Sequence, residues 1–272
     1  MSLTAVIVAY QSEAIIRGCV SALLRSSQCD IVVWDNSSGG LTEQALGDIR
    51  DPRIRVLQGD GNVGFGAGVN RAADRADPVG DLLLINPDCV VSPEAVAQLL
   101  KVQLDQDAAI VAPRMVYGDG GPGIAGGPRP SLVKEIAAWT RIDDLIPPKW
   151  RRKALQAFSN PFSRSSALGG YGEALVKGPA LEFDWVSGFC MLVSREYFDR
   201  VGGFDEEFFL YFEDVDFCER VRKSGGRVVL AREEAVLHYE SSSTNAQGQK
   251  GQFYRDGMTR YFIKNGSIGE RF

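Results

Sequence analysis

The 272-residue chain has no run near the roughly 20 consecutive apolar residues that a membrane-spanning helix requires. Its first eleven residues hold no basic segment and no small-residue cleavage site, and already read as a strand, so a cytoplasmic protein is expected. Positive charge is not in excess: 30 Lys and Arg against 35 Asp and Glu give a net charge of -5. No basic field therefore points to nucleic acid. Histidine is almost missing, with His238 the single example. The five cysteines (Cys19, Cys29, Cys89, Cys190, Cys218) are odd in number and widely spaced, with no C-x-x-C pair. That leaves reduced, mostly buried thiols as the expectation. Internal repeats and low-complexity tracts are also lacking.

What remains is an ordinary globular composition, 44% hydrophobic and 24% charged, in a chain long enough to bury a proper core. Short Val- and Ile-rich runs at 3–9, 31–34, 54–57 and 82–85 read as buried strands. Between and after them lie helical patterns at 12–24, with Ser12 as N-cap, at 66–75, and after Ser92, where Pro93 and Glu94 follow the cap. Strands alternating with helices predict βαβ units, hence an α/β fold with a mostly parallel sheet and helices on both faces. Residues 117–181 break the pattern with a Gly- and Pro-rich stretch and a basic aromatic knot, Lys149-Trp150-Arg151-Arg152-Lys153, and read as a flexible insertion. A strand at 190–193, a helix at 214–223, strands at 228–230 and 235–238, and a terminal amphipathic helix at 253–263 complete the expectation.

Two of the early strands end in a carboxylate, Asp35 and Asp88. In an open parallel sheet, ligands bind beyond the carboxyl ends of the strands, so topology alone puts both acids at a site. The alternative is that each merely caps the next turn. Asp88 suits Mg²⁺ or Mn²⁺, which take oxygen ligands and substrate phosphates. The glycine-rich stretch Gly61-Asn62-Val63-Gly64-Phe65-Gly66-Ala67-Gly68-Val69-Asn70-Arg71 follows the third strand, where close backbone approach and a helix N-terminus favour an anion. A dinucleotide fingerprint belongs after the first strand, which here leads into Tyr10-Gln11-Ser12, so a nicotinamide enzyme is disfavoured. Three acids in four residues, Glu213, Asp214 and Asp216, follow the aromatic run Phe208-Phe209-Leu210-Tyr211-Phe212 and open a helix. They complement the helix dipole, and Asp216 with Arg220 fits an i,i+4 pair. Acids set beside aromatic rings can also serve as general bases. His238 ends an apolar strand, where a packed histidine and a metal or phosphate contact are both open.

Taken in order, Val6-Ile7-Val8-Ala9-Tyr10, Asp35-Asn36-Ser37-Ser38, Asn62-Val63-Gly64-Phe65, Asn86-Pro87-Asp88, Trp185-Val186-Ser187-Gly188, Gly202-Gly203-Phe204-Asp205, Glu213-Asp214-Val215-Asp216 and His238 resemble the family 2 glycosyltransferases with the GT-A fold. The nearest likeness is to the rhamnosyltransferase-like branch, and it runs from 6 to about 264, outside the insertion. The resemblance implies one domain over 1–272: a nucleotide-binding half at 1–116, the insertion, and an acceptor and catalytic half at 182–272. It implies that Ala9, Tyr10 and Asp35 line the nucleobase and ribose pocket. Asn62, Gly64, Asn70 and Asn86 would lie near the donor, and Arg255 would approach its diphosphate. Trp185 and Gly188 would shape the sugar and acceptor side. Asp88 matches the last acid of the family's D-x-D metal motif, and His238 a position beside the metal. Asp214, with Glu213 next to it, matches the catalytic base. One departure stands out: the motif here reads Asn86-Pro87-Asp88, so one carboxylate is gone.

The expected reaction is inverting transfer of a sugar, L-rhamnose from dTDP-L-rhamnose first and UDP- or GDP-sugars next, to a hydroxyl of a saccharide or polyprenyl-linked acceptor in cell-surface polysaccharide synthesis. Mg²⁺ or Mn²⁺ is the implied cofactor. The knot at Lys149 to Lys153 reads either as a solvated loop or as a peripheral contact with the inner face of the membrane. Two rivals remain. A sugar-phosphate nucleotidyltransferase would need a Gly-, Arg- and Lys-bearing loop after the first strand, which Tyr10-Gln11-Ser12-Glu13 does not supply. A non-catalytic sugar-nucleotide binding module shares the fold, and fold does not fix function.

Overall fold

A computed structural model describes residues 2–26, 29–37, 39–77, 79–132, 135, 179–239 and 247–266. The knot at Lys149 to Lys153 lies outside them.

The apolar runs become the centre of a mixed sheet. Strand β1 (Leu3–Ala9) is buried along its whole length and pairs in parallel with β2 (Cys29–Asp35) on one side and β4 (Asp81–Ile85) on the other. Strand β3 (Ile54–Gln58) extends the parallel set beyond β2. Helices α1 (Ile16–Arg25) and α3 (Phe65–Ala73) make the crossovers, and α2 (Leu41–Leu46) fills the connection from β2 to β3. The α1 pattern begins later than the sequence suggests. Gln11 has a positive φ of 50°, and the Ser12 hydroxyl bonds back to the Tyr10 carbonyl (3.0 Å). Ser12 therefore closes a turn, and Ile15 takes the N-cap position. Ser92 does cap α4 (Pro93–Gln106) as expected, accepting from Ala95 N–H at 3.1 Å.

Beyond β4 the sheet turns antiparallel. Strand β11 (Cys190–Val193) pairs antiparallel with β4 and with β6 (Ile110–Tyr117), and β6 pairs in parallel with β12 (Val228–His238). The sheet edge is β5 (Cys89–Val90), antiparallel to the end of β12. The strands expected at 228–230 and 235–238 are one strand, with a register shift between Leu230 and Ala235. The reason lies opposite: β6 carries Pro113 between Ala112 and Arg114, where the shift occurs. Proline offers no N–H to the ladder, and a bulge in the partner strand accommodates it.

The expected insertion is partly built into the sheet. Strand β7 (Pro122–Gly123) folds back on β6 and β9 (Ala180–Glu182) pairs with β12, while β8 (Gly126–Gly127) and β10 (Trp185–Val186) form a separate two-stranded sheet. The last elements are α5 (Arg195–Arg200), α6 (Glu213–Lys223) and α7 (Gln247–Asn265). A second apolar cluster, Phe208, Phe212, Val215, Tyr261 and Phe262, joins α6 and α7 apart from the main core. All five cysteines are buried free thiols, and burial pushes those of Cys190 and Cys218 up to about 12.

Candidate active site

The carboxyl ends of β1 and β2 meet in register at Ala9 and Asp35, both fully buried. One Asp35 oxygen accepts the Ser37 N–H (2.8 Å), and the other is buried with no hydrogen-bond partner. An orphaned carboxylate oxygen at a strand end wants a donor, and an N–H of a bound ligand would supply it. Tyr10 stands beside it, half exposed. Asn36, not singled out from sequence, organises the floor. Its backbone N–H reaches the Ala9 carbonyl (2.7 Å), its side-chain amide donates to the Gly64 carbonyl (3.0 Å), and its side-chain oxygen accepts from Trp34 (2.9 Å).

Gly64 opens α3 with φ 90°, and Asn62 holds its N–H at 3.0 Å. The next amide, Phe65 N–H, donates to the Phe209 carbonyl (3.0 Å), and a Cβ on Gly64 would overlap that same oxygen. Asn70, expected near the donor, is spent elsewhere. Its oxygen accepts the Phe204 N–H (2.8 Å), and its amide donates to the Phe204 carbonyl (2.9 Å) and to Glu206 (3.1 Å). These bonds clamp the Gly203–Phe204 turn.

At the end of β4, the Asn86 N–H donates to the Phe189 carbonyl (2.8 Å). Asp88 follows, and β12 brings His238 alongside, with Nε2 at 3.1 Å from an Asp88 oxygen. The imidazole lies between the rings of Tyr117 (6.3 Å) and Phe189 (5.7 Å), and its Nδ1 is buried without a partner. Asp88, Cys89 and His238 offer ligand atoms within 4.8 Å of one another. The Cys89 thiol is pushed well above its usual value by burial and points at the Phe189 carbonyl (3.4 Å). It therefore stays neutral, and the oxygen-seeking cations prefer other ligands. Asp88 and His238 remain, a set that fits a divalent cation sharing its shell with a diphosphate, with the imidazole better suited to Mn²⁺ than to Mg²⁺.

The residues on either side of the Gly188–Phe189 bond connect this turn to the third acid. Gly188 N–H donates to an Asp214 oxygen (2.9 Å), while the adjacent Phe189 carries the carbonyl that holds Asn86 and the ring that faces His238. The other Asp214 oxygen accepts the Val215 N–H (2.8 Å). Burial raises the Asp214 carboxyl above its ordinary value of 3.8, and these amides oppose the rise. Glu213 is buried, with one oxygen unpartnered. Burial first, and the Asp214 charge second, push its carboxyl well above the ordinary range. Asp216 pairs with Arg220 (2.7 Å) as the spacing predicts, and also with Lys264 (2.9 Å) and Asn265 (2.9 Å) of α7.

The segment leading into α6 is strained. Tyr211 and Phe212 both adopt left-handed backbone, φ 70° and 65°. For residues bearing a side chain this costs about 1–2 kcal/mol each. Tyr254 of α7 packs edge-on against both rings (5.8 and 5.2 Å) and donates to Glu135 (2.8 Å). Its hydroxyl is held above its usual range by burial and Glu135, with the Asp214 charge contributing, which puts α7 within the field of that acid. A cleft of about 630 Å³ opens beside the segment, walled by Phe208, Phe209, Leu210, Phe253 and Ile263. Trp185 of β10 uses its indole N–H on the Pro128 carbonyl (2.9 Å). Arg255 is exposed on α7, and no ion pair holds it among the described residues.

A family model described as Glycosyl transferase family 2 matches residues 4–202, nearly three quarters of the chain. The chain belongs to glycosyltransferase family 2. A second model, the N-terminal domain of galactosyltransferase, matches residues 175–241 of this glycosyltransferase, the stretch that carries Gly188, Asp214 and His238. The N-acetylglucosaminyl-diphospho-decaprenol L-rhamnosyltransferase of Mycobacterium tuberculosis is 30% identical over 225 residues, covering 79% of this chain and 67% of that protein. The low-salt glycan biosynthesis hexosyltransferase Agl10 of Haloferax volcanii is 25% identical over 268 residues, covering 97% of this chain and 75% of its own. Among solved structures, residues 1–349 of TarS from S. aureus superpose with a TM-score of 0.58 at 14% identity, covering all of this chain and 77% of that one. GalNAc-T7 with UDP, GalNAc and Mn²⁺ gives 0.62 at 14% identity, covering 97% and 57%. These likenesses show the fold, an α/β GT-A domain, in agreement with the expectation from sequence.

Proposed function

We propose that this glycosyltransferase moves L-rhamnose from dTDP-L-rhamnose onto a hydroxyl of a polyprenyl-diphosphate-linked saccharide, with inversion, in cell-surface polysaccharide synthesis. The observation that carries the mechanism is the Asp214 carboxylate. Two backbone amides fix it, burial raises its proton affinity, and the Gly188–Phe189 link joins it to the turn bearing Asp88 and His238. A base must be fixed in position and have a pKa closer to neutrality than a free aspartate. Asp214 takes the proton of the acceptor hydroxyl. The oxygen forms its bond to the anomeric carbon as the bond from that carbon to the diphosphate oxygen breaks, and the electron pair leaves with the nucleoside diphosphate. Attack from the face opposite the leaving group inverts the anomeric centre.

Asp88 and His238 would hold Mg²⁺ or Mn²⁺, which supplies charge neutralisation to the departing diphosphate. Asp35 offers its unpartnered oxygen to an N–H of the nucleobase, with Ala9 and Tyr10 forming the adjacent wall. Gly64 and Asn62 shape the backbone beside the donor, and Arg255, exposed on α7, is free to meet a phosphate. The donor sugar and the lipid-linked acceptor are supported by the name of the mycobacterial relative. An acceptor of that kind implies work at the inner face of the membrane. No helix among the described residues is long and apolar enough to cross one, so contact would be peripheral. Flotation with anionic liposomes tests this: co-migration that Lys149→Glu with Arg151→Glu abolishes supports it, and no co-migration refutes it.

A panel of dTDP, UDP, GDP and CMP in a thermal-shift assay tests the donor. Each nucleotide at about 100 times its dissociation constant stabilises by about 2.7 kcal/mol. A shift largest for dTDP supports the reading, one largest for UDP or GDP moves the donor to those sugars, and none with any nucleotide refutes a nucleotide-sugar enzyme.

A further inference from the structure

Gly257 sits in the middle of α7, a 19-residue helix, where alanine is the better helix former. Its lack of a side chain therefore needs a reason outside the helix. The reason is the strained segment: a Cβ on Gly257 would overlap the Tyr211 carbonyl oxygen and lie 3.4 Å from that of Leu210. The same segment is gripped one step earlier by Gly64, where the Phe209 carbonyl occupies the space a Cβ would need and accepts the Phe65 N–H (3.0 Å). The grips fall at Phe209 and at Leu210–Tyr211; Tyr211 and the next residue, Phe212, are in left-handed conformation, and Phe212 is the N-cap from which α6 launches Glu213 and Asp214. No side chain caps that end, so the backbone path of 209–212 is what sets the direction of the first turn of α6.

Helix α7 is anchored independently of Gly257. Lys264 bonds Asp205 (2.6 Å) and Asp216 (2.9 Å), Asn265 bonds Asp216, and Arg260 pairs with Glu207. Tyr254 and Tyr261 lay their rings against Phe212 (5.2 and 5.7 Å).

We infer that Gly257 is a positioning residue for Asp214: the bare helix surface at Gly257 lets α7 seat against the 210–211 carbonyls and hold the left-handed pair that aims the base, while Gly64 ties the same segment to the donor loop. The inference rests on the reading of Asp214 as the base. Any side chain at 257 must lift α7 from the segment or push the segment off its path. Either one displaces Asp214 from the Gly188 N–H while the floor formed by Asp35 and Asn36 stays in place.

The test is steady-state kinetics of Gly257→Ala, Lys264→Gln and Asp214→Asn on the full chain, with dTDP binding measured for each. Misplacement by about 1 Å costs up to about 100-fold in rate, so kcat of Gly257→Ala is expected to fall by about 10- to 100-fold. Donor KM and the dTDP dissociation constant should stay within about twofold, the pattern of a contribution made only in the transition state. Lys264→Gln adds no atom and loosens α7 from the other end. It should show the same split to a smaller degree, and it decides the matter if Gly257→Ala does not fold. Unchanged kcat in the folded variants overturns the inference, as does a parallel loss of kcat and dTDP binding, which marks a general structural role. Turnover retained in Asp214→Asn sinks the base assignment itself. An inactive Asp214→Asn beside a wild-type-like Gly257→Ala sinks only the positioning role.

Discussion

Glu213 and Asp214 are neighbours in sequence with opposite solutions to burial. Asp214 has both oxygens on backbone amides, whereas Glu213 leaves one oxygen without a partner. The folded state therefore favours the neutral form of Glu213, whose carboxyl is raised well above 4.5. A raised folded-state pKa contributes stability that is fully present below the ordinary value and is lost as pH rises through the raised one. The melting temperature of the protein should accordingly fall as pH climbs above the ordinary carboxylate range. Glu213→Gln, which cannot ionise, should show a smaller fall, measured by thermal denaturation between about pH 5 and about pH 9. An identical pH dependence in the two proteins would place the titrating group elsewhere. Asn70 gives a second residue-scale prediction. Asn70→Ala strips partners from the Phe204 N–H and carbonyl, and should cost about 1–3 kcal/mol in denaturant unfolding while leaving the affinity for nucleotide unchanged. The sequence marked Asn70 as a polar residue in a glycine-rich motif, but its partner is 134 positions away. That distance is why its role could not be read.

Strand ends are the elements that matter for chemistry, and they were the most legible part of the chain. Asp35 and Asp88 follow apolar runs, so both the strands and the direction of their ends could be read directly. Strand β6 was not legible, because Pro113 interrupts it and proline is poorly tolerated in a paired strand. Its compensation, the register shift in β12, lies more than a hundred residues away and split one strand into two in the reading. Within the expected insertion at 117–181, the short strands β7 and β8 were not legible for a related reason: they are two-residue strands rich in glycine, with no pattern until Met115 and Trp185 provide partners. The ends of β5 and β12 carry the metal-site prediction. Asp88→Asn should abolish the enhancement of dTDP binding by Mn²⁺ while keeping metal-free binding, as read by titration with and without EDTA. Equal enhancement in the variant would move the metal to the diphosphate alone.

At the scale of the whole molecule, α6 joins two apolar clusters: its Phe217, Cys218 and Val221 belong to the core of the sheet half, and its Val215 packs with α7, while the Gly188–Phe189 link ties the start of α6 to the strand ends. The ordered motifs were enough to place the chain in its family, because each is short but the series is long. The joint between the halves was not legible. Gly257 is silent in sequence, and Gly64, though part of a glycine-rich motif, gives no sign there of its contact with Phe209, since a missing Cβ has meaning only against the carbonyl that takes its place. In the proposed mechanism this joint holds a single carboxylate base beside a nucleotide-sugar site. The most direct test is release of dTDP from dTDP-L-rhamnose, with a polyprenyl-diphosphate-linked N-acetylglucosamine acceptor, by the wild type and by Asp214→Asn. Turnover by the wild type with inverted product is expected, and at least about a 100-fold loss in Asp214→Asn with dTDP binding intact. Turnover by Asp214→Asn within a few-fold of the wild type would contradict the mechanism.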